Sequence, residues 1–235
     1  MSITWPDLAV QLITYNRPGE IRRVIVALSK HLQYKGKLVW YLADDGSPGN
    51  YVLEIQRDFP KLNFQASITK RLGWGANVNK CMQKIAEKHI FLCEDDYVAL
   101  YPLDLNKGVA LLDSKASIGL VRYDGLAGHR LNLAIEEVDT RLGVLQYLEI
   151  LKNSRGLNVY SNRPHLKHAK FHRAYSNYPM NKPLGETESS FAHRVKDALE
   201  KGPRLVALEN GIIRAFDHIG KSRQATEFDQ AKPKG

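Results

Sequence analysis

Glu94, Asp95 and Asp96 stand in a row, directly after the apolar run His89-Ile90-Phe91-Leu92-Cys93. Three adjacent carboxylates repel one another, so such a cluster calls for a cation or strong hydrogen-bond donors close by. A divalent metal carrying a phosphorylated substrate would supply that cation through oxygen ligands. Five mostly apolar residues are the length of a buried parallel strand. Acids at the carboxyl end of such a strand lie in the crevice where open α/β sheets bind ligands.

The elements needed to place that cluster can be read in order. Leu8 to Thr14 reads as a first strand, Glu20 to Leu32 as a helix with Ile21, Val24, Ile25 and Leu28 on one face, and Lys37 to Ala43 as a second strand. Asp44-Asp45-Gly46-Ser47-Pro48-Gly49 follows as a turn. Tyr51 to Phe59 reads as a short helix, Leu62 to Ile68 as a third strand, and Gly73 to Glu87 as a helix leading into the acid-tipped strand. This alternation implies an α/β fold with a parallel sheet and right-handed crossovers. The strand ends at Thr14, Asp44 and Glu94 then open on one edge. Further on, Ile118 to Tyr123, Leu157 to Ser161 and Leu205 to Leu208 read as strands. Ile135 to Leu151 and Thr187 to Leu199 read as helices, the first with Ile135, Val138, Leu142, Leu145 and Leu148 on one side.

Charge divides the chain unevenly. Residues 1–150 hold 18 Lys and Arg against 17 acids, whereas residues 151–235 hold 16 against 8. The first part reads as a balanced scaffold, and the second as a surface facing something anionic. With no apolar run of bilayer-spanning length and no signal-like start, the expected location is cytoplasmic, with no membrane span. Cys81 and Cys93 have no metal-ligand spacing and read as reduced core residues.

Taken together, TYNRP after the first strand, DDGS after the second, RLGWGANVN before CEDD, then GETESSFAHR and FDHIGKSR, resemble the nucleotide-sugar-dependent glycosyltransferases of the GT-A fold, in the large family-two-like group. The resemblance spans about residues 8–225 and implies a single GT-A domain over 1–220. Its donor half would cover about 1–115 and its acceptor half about 116–220, with 221–235 a basic polar tail. It implies that Thr14, Tyr15 and Asn16, with Arg17 beside them, line the base pocket, and that Asp44 or Asp45 accepts from the base or ribose. Asp96 would be a direct ligand of Mn²⁺ or Mg²⁺ and His218 a second ligand. Glu94 would act through ribose or water, with Asp95 on the same donor side. Lys221 and Arg223 would neutralise the diphosphate. Glu188, six residues before Arg194, would take the base position in an inverting displacement, with Glu186 the near alternative. Two departures stand out. Gly73 and Asn79 hold the family separation, but Val78 replaces an arginine, leaving Arg71 or Lys70 to reach the phosphates. Thr187 replaces the first acid of the pair at the base position.

The interval from Ile150 to Gly185 contains no acid and lies where the resemblance places the acceptor site. Arg163, His165, Lys167, Lys170, Arg173 and Tyr175 are its expected acceptor-facing residues. Basic charge tracks phosphates and aromatic faces stack bases or sugars, so the candidate acceptors are a hydroxylated base in DNA or a phosphorylated or lipid-linked glycan. His165, His168 and His172 have no carboxylate or cysteine beside them, which speaks against zinc. Two rival classes are weighed. A nucleotidyltransferase would need a better glycine-rich phosphate loop than TYNRPGE, and a non-catalytic nucleic-acid-binding module would use the basic second part alone.

Overall fold

The structure of the chain, a computed structural model, describes residues 4–123, 131–151, 160–180, 182–199, 201–208 and 215–220. The first half runs β1 (Leu8–Thr14), α1 (Pro18–His31), β2 (Leu32–Gln33), β3 (Leu38–Asp44), α2 (Tyr51–Asp58), β4 (Gln65–Ile68), α3 (Trp74–Met82) and β5 (His89–Glu94). Then follow β6 (Tyr97–Ala99), β7 (Leu103–Asp104), α4 (Leu105–Ser114), β8 (Ile118–Arg122), β9 (Leu133–Thr140) and β10 (Gly143–Ile150). The remainder is β11 (His165–His168), α5 (Phe171–Ala174), α6 (Leu184–Ala198), β12 (Arg204–Ala207) and β13 (Phe216–His218).

Among the described residues, nine strands make one sheet in the order β4-β3-β1-β5-β11-β8-β12-β10-β9. The β4-β3-β1-β5 block is parallel throughout, and β11 enters antiparallel to both β5 and β8. Every residue of β1 is buried, and its side chains alternate between two cores. Leu8, Val10 and Leu12 pack with Ile21, Val24 and Ile25 of α1 and with Val109 of α4. Ala9 and Ile13 pack with Val78 of α3 and Phe191 of α6. Helices therefore cover both faces, the arrangement that a buried parallel sheet requires. Helix α1 begins with Pro18 in its first turn, carries Glu20 there, and ends with Lys30 and His31, charges that suit the helix dipole. Thr14 lies opposite Asp44, and Ile13 opposite Glu94, so the three strand ends meet at one edge as their turns imply. No helix among the described residues is long and apolar enough to cross a membrane.

The expected helix over Ile135 to Leu151 is a β-hairpin. The reason is geometric. Ile135 pairs across the strands with Leu148, and Val138 with Leu145. Residues placed symmetrically about a turn at Arg141-Leu142 reproduce helical spacing in the sequence. The turn closes through Thr140 Oγ1, which accepts from Leu142 N–H at 3.0 Å, and through Gly143 at φ 94°. Two other boundaries contract. The third strand starts at Gln65, because Pro60–Leu62 winds into a 3-10 turn ended by Asn63 at φ 46°. Helix α3 stops at Met82 rather than Glu87. Of the expected strand from Leu157 to Ser161, residues 157–159 lie outside the described residues, while Tyr160 and Ser161 are not in a strand.

Candidate active site

The end of β5 sends its three acids to different partners. Glu94 lies beside Trp74 and Glu188, and its Oε1 is buried with no hydrogen-bond partner. Burial, reinforced by Asp96 and Glu188, holds its carboxyl well above the usual carboxylate range. Asp95 faces the turn after β1. Its Oδ2 accepts from Thr14 Oγ1 at 2.8 Å and from the Tyr15 N–H at 3.2 Å, and its Oδ1 accepts from Arg17 Nη1 at 3.2 Å. Burial pushes Asp95 up to about 7 against the downward pull of Arg17. Asp96 Oδ2 accepts from the same Arg17 nitrogen at 2.6 Å and lies 3.2 Å from His218 Nε2, while Asp96 Oδ1 is buried without a partner.

His218 reaches Asp96 because β13 pairs with β6, immediately after the acids, with His218 opposite Tyr97. The rings of Tyr97 and His218 are 4.9 Å apart, and the Ile219 N–H donates to the Asp96 carbonyl at 2.8 Å. The chain then passes so close that a Cβ on Gly220 would lie 2.3 Å from Asp96 Oδ2. Only glycine fits there without moving the carboxylate. Lys221 and Arg223 lie outside the described residues.

The two acids of the DDGS turn are already engaged. Asp44 accepts from Ser47 N–H at 2.9 Å and Ser47 Oγ at 2.5 Å, and that Oγ accepts from Asn16 N–H at 2.7 Å. Asp45 accepts from Thr69 Oγ1 at 2.5 Å and from the amides of Leu72 and Gly73 at 2.9 and 3.0 Å. It thereby fixes the loop in which Arg71 takes φ 54° and Gly73 φ 89°. The Arg71 guanidinium stacks 3.4 Å from the centroid of the Tyr15 ring. Asn79 is directed elsewhere than the donor role expected of it: it binds the backbone of Tyr178 and does not line the cavity. Val78 is fully buried, its carbonyl held by Gln11 Nε2 at 3.3 Å, so this position points into the core. Asn77, passed over in the sequence, does line the cavity. It donates to the Ala43 carbonyl at 3.0 Å, and its Oδ1 is buried and unpartnered.

Glu188 projects from the second turn of α6, and its Oε1 accepts from the Asn162 N–H at 2.9 Å. The Asn162 Oδ1 accepts from the Tyr178 hydroxyl at 3.0 Å, and Tyr160 contacts that hydroxyl in turn. Glu186 is exposed and outside the cavity. Thr187 is fully buried, with Cγ2 against Gly75, where an added Cβ would lie 2.4 Å from the Pro179 carbonyl oxygen. The acceptor-facing set needs correction. His165 and Lys167 sit fully buried in β11 between β5 and β8, and Tyr175 is buried with its hydroxyl donating to the Pro203 carbonyl at 2.6 Å. Pairing on both edges and packing on both faces of the sheet bury these positions, whatever their charge. Of the rest, Arg163 is half-buried, and Lys170 and Arg173 are exposed.

These pieces surround a cavity of about 400 Å³. Thr14, Tyr15, Arg17, Asp45 and the three acids form one part of its lining. Trp74, Asn77, Tyr97 and His218 contribute further, and Pro183, Leu184, Gly185 and Glu188 bring in the start of α6. The volume suits a small-molecule ligand. Pro183 to Gly185 and Trp74 carry no charge that composition would single out, and Trp74 could be found only through its place in RLGWGANVN.

Residues 10–171 match the model of glycosyl transferase family 2, more than half of the chain. The chain belongs to glycosyl transferase family 2. Its fold is the GT-A fold, shared with solved structures of low sequence identity. TarS of S. aureus, solved with UDP-GlcNAc, superposes with a TM-score of 0.65 at 16% identity, covering 91% of this chain and 60% of that one. The mannosyltransferase PcManGT of Pyrobaculum calidifontis, in complex with GDP-Man and Mn²⁺, gives a TM-score of 0.62 at 12% identity over 95% of this chain and 59% of that one. The chain thus spans about 60% of the length of these structures. No curated protein matches it in sequence.

Proposed function

We propose that this family 2 enzyme transfers a sugar from a nucleotide diphosphate sugar to an acceptor hydroxyl with inversion, with the donor in the cavity at the end of β5. One observation carries this reading: Asp96, His218 and Glu188, far apart in sequence, line one cavity of donor size. Residues about 1–115 supply the donor part and 116–220 the acceptor part, with 221–235 as a basic tail. A nucleotide-sugar donor and the two free, buried cysteines fit a cytoplasmic setting.

The residues present fit Mn²⁺ or Mg²⁺. Asp96 offers an unpartnered buried oxygen and His218 a ring nitrogen 3.2 Å from its other oxygen. Among the described residues no set of three ligands is preassembled, which agrees with a cation completed by water and substrate phosphates. Bound there, the metal would neutralise charge on the departing diphosphate. Glu188 takes the proton of the acceptor hydroxyl as its oxygen bonds to the anomeric carbon. The bond from that carbon to the diphosphate oxygen breaks, and the nucleoside diphosphate leaves. The Asn162 amide holds Glu188 in place for this step. Tyr15, backed by Arg71, offers a ring for the base, and Asp44 and Asp45 shape that pocket through its loops.

Release of nucleoside diphosphate from a panel of UDP- and GDP-sugars, with Mn²⁺ and then with chelator, tests the reading. Hydroxymethylated oligonucleotide and phosphorylated glycan are the acceptors to compare. Equal turnover by wild type and Asp96→Ala would sink the scheme. Release of pyrophosphate would point to nucleotidyl transfer instead.

A further inference from the structure

Arg17 occupies the position from which a cation would act. One nitrogen, Nη1, lies 3.2 Å from Asp95 Oδ1 and 2.6 Å from Asp96 Oδ2. The three side chains are 19%, 9% and 11% exposed, so the pairing is largely shielded from solvent. The oxygen Arg17 holds most closely, Asp96 Oδ2, is the one that faces His218 Nε2 at 3.2 Å. A divalent ion shared by Asp96 and His218 and the guanidinium of Arg17 therefore compete for the same carboxylate.

The anchoring of Arg17 permits an exchange. It is the N-cap residue of α1, yet its side chain makes no cap hydrogen bond. The side chain can swing away without unwinding the helix. Asp95 would keep Thr14 Oγ1 and the Tyr15 amide as donors after Arg17 leaves. Asp96 has no other charged partner than His218 among its described ion pairs. Asp95 is thus held from several sides, whereas Asp96 depends on a cation.

We infer that Arg17 is an internal counter-ion that closes the Asp95–Asp96 pair in the free enzyme and gives way when a divalent cation and a nucleoside diphosphate bind together. Its guanidinium then turns from the acids to the diphosphate. Metal and nucleotide binding become mutually dependent, because each removes the obstacle to the other. The inference rests on the reading of Asp96 and His218 as metal holders.

Binding of Mn²⁺, followed by the loss of its free-ion paramagnetic resonance signal, tests this without turnover. In the absence of nucleotide, Arg17→Gln should bind Mn²⁺ on the order of tenfold more tightly than wild type, the scale of one nearby charge acting on a part-buried carboxylate. Adding UDP or GDP should strengthen Mn²⁺ binding less in the variant than in wild type. Arg17→Ala, which shares no polar group with the glutamine variant, should behave alike. Unchanged or weaker Mn²⁺ binding in both folded variants overturns the inference. Asp96→Ala separates the two readings. If it loses Mn²⁺ while the Arg17 variants match wild type, the metal site stands and the counter-ion role falls. If it binds as wild type does, the metal site falls and takes the counter-ion role with it.

Discussion

Asn79 and Tyr178 exchange two hydrogen bonds across 99 residues of sequence: Asn79 Nδ2 donates to the Tyr178 carbonyl at 2.9 Å, and the Tyr178 N–H donates to Asn79 Oδ1 at 3.2 Å. This clamp ties α3, at the donor side, to the segment whose tyrosine hydroxyl supports Asn162 and, through its amide, Glu188. Asn79→Ala leaves both backbone groups of Tyr178 without their partner. It should lower unfolding free energy by about 1–3 kcal/mol, measured by urea denaturation. A loss of only a few tenths would show that water replaces the clamp.

Tyr178→Phe removes the donor to Asn162 Oδ1 and keeps the ring packing against Trp74 and Phe191. Turnover should fall while the KM for the donor stays near wild type, since the lost hydroxyl serves Asn162 and Tyr160 and touches no group of the donor side. A raised donor KM with intact turnover would place Tyr178 on the donor side instead.

Glu188→Gln keeps an oxygen for the Asn162 amide but cannot accept a proton. Transfer should drop by roughly 100-fold or more, the scale of general-base catalysis, with nucleotide binding retained by calorimetry. Glu186→Gln, exposed and outside the cavity, should stay close to wild type. The reverse ranking would move the base to Glu186.

Gly220→Ala forces a methyl group to 2.3 Å from Asp96 Oδ2. Weaker Mn²⁺ binding is expected with the melting temperature little changed, because the clash is relieved by moving one carboxylate at the cavity edge. Unaltered Mn²⁺ binding would show that the strand shifts and leaves Asp96 in place.

Acid should destabilise the fold through its buried histidines. Burial drives His89 down to about 4, although Asp113 Oδ1 is 3.2 Å from its Nε2 and pulls the other way. Lys88 and His168 add to the depression. His165 and His172, fully buried, are also held well below the ordinary value. An unfolded histidine titrates near 6.5. Above that pH these histidines are neutral in both states. Between about 6.5 and 4 the unfolded chain takes up protons that the folded histidines refuse, so their contribution to stability falls with falling pH. Asp95 and Glu94, raised in the folded state, act in the opposite direction over the same range. The histidine part is therefore read as a difference: the gap in urea midpoint between His89→Asn and wild type should move in favour of the variant from about pH 6.5 to 4. A gap that stays constant would contradict the burial.

The sequence was most readable where burial is uniform. Strands β1, β3 and β5 are continuous apolar runs ended by polar turns, so their order and the shared edge at Thr14, Asp44 and Glu94 could be inferred. Charge misled where topology overrides composition. His-Leu-Lys-His at 165–168 reads as a basic surface, yet it is the antiparallel strand joining the two halves of the sheet. Nothing local marks Lys167 as buried, since charged residues seldom are. Helix α4 has no counterpart among the elements read from the sequence, although Asp104, whose Oδ1 accepts from the Asn106 and Lys107 amides, is a sequence-visible cap. Tyr97 and Asn77 escaped notice because their value lies in neighbours, His218 and Ala43, that only the fold supplies.

The acids at the end of β5 divide where the strand stops. Glu94, its last residue, lies with Trp74 and Glu188, whereas Asp95 and Asp96 in the turn that follows both meet Arg17. A strand alternates its sides with every residue, so removing or adding one position upstream in β5 would turn Glu94 away from Trp74 and Glu188 and displace the turn behind it. The buried core would be offset at the same time. The spacing from His89 to Asp96 should therefore be fixed by length more strictly than by residue type, tolerating conservative substitutions inside the strand but no insertion or deletion.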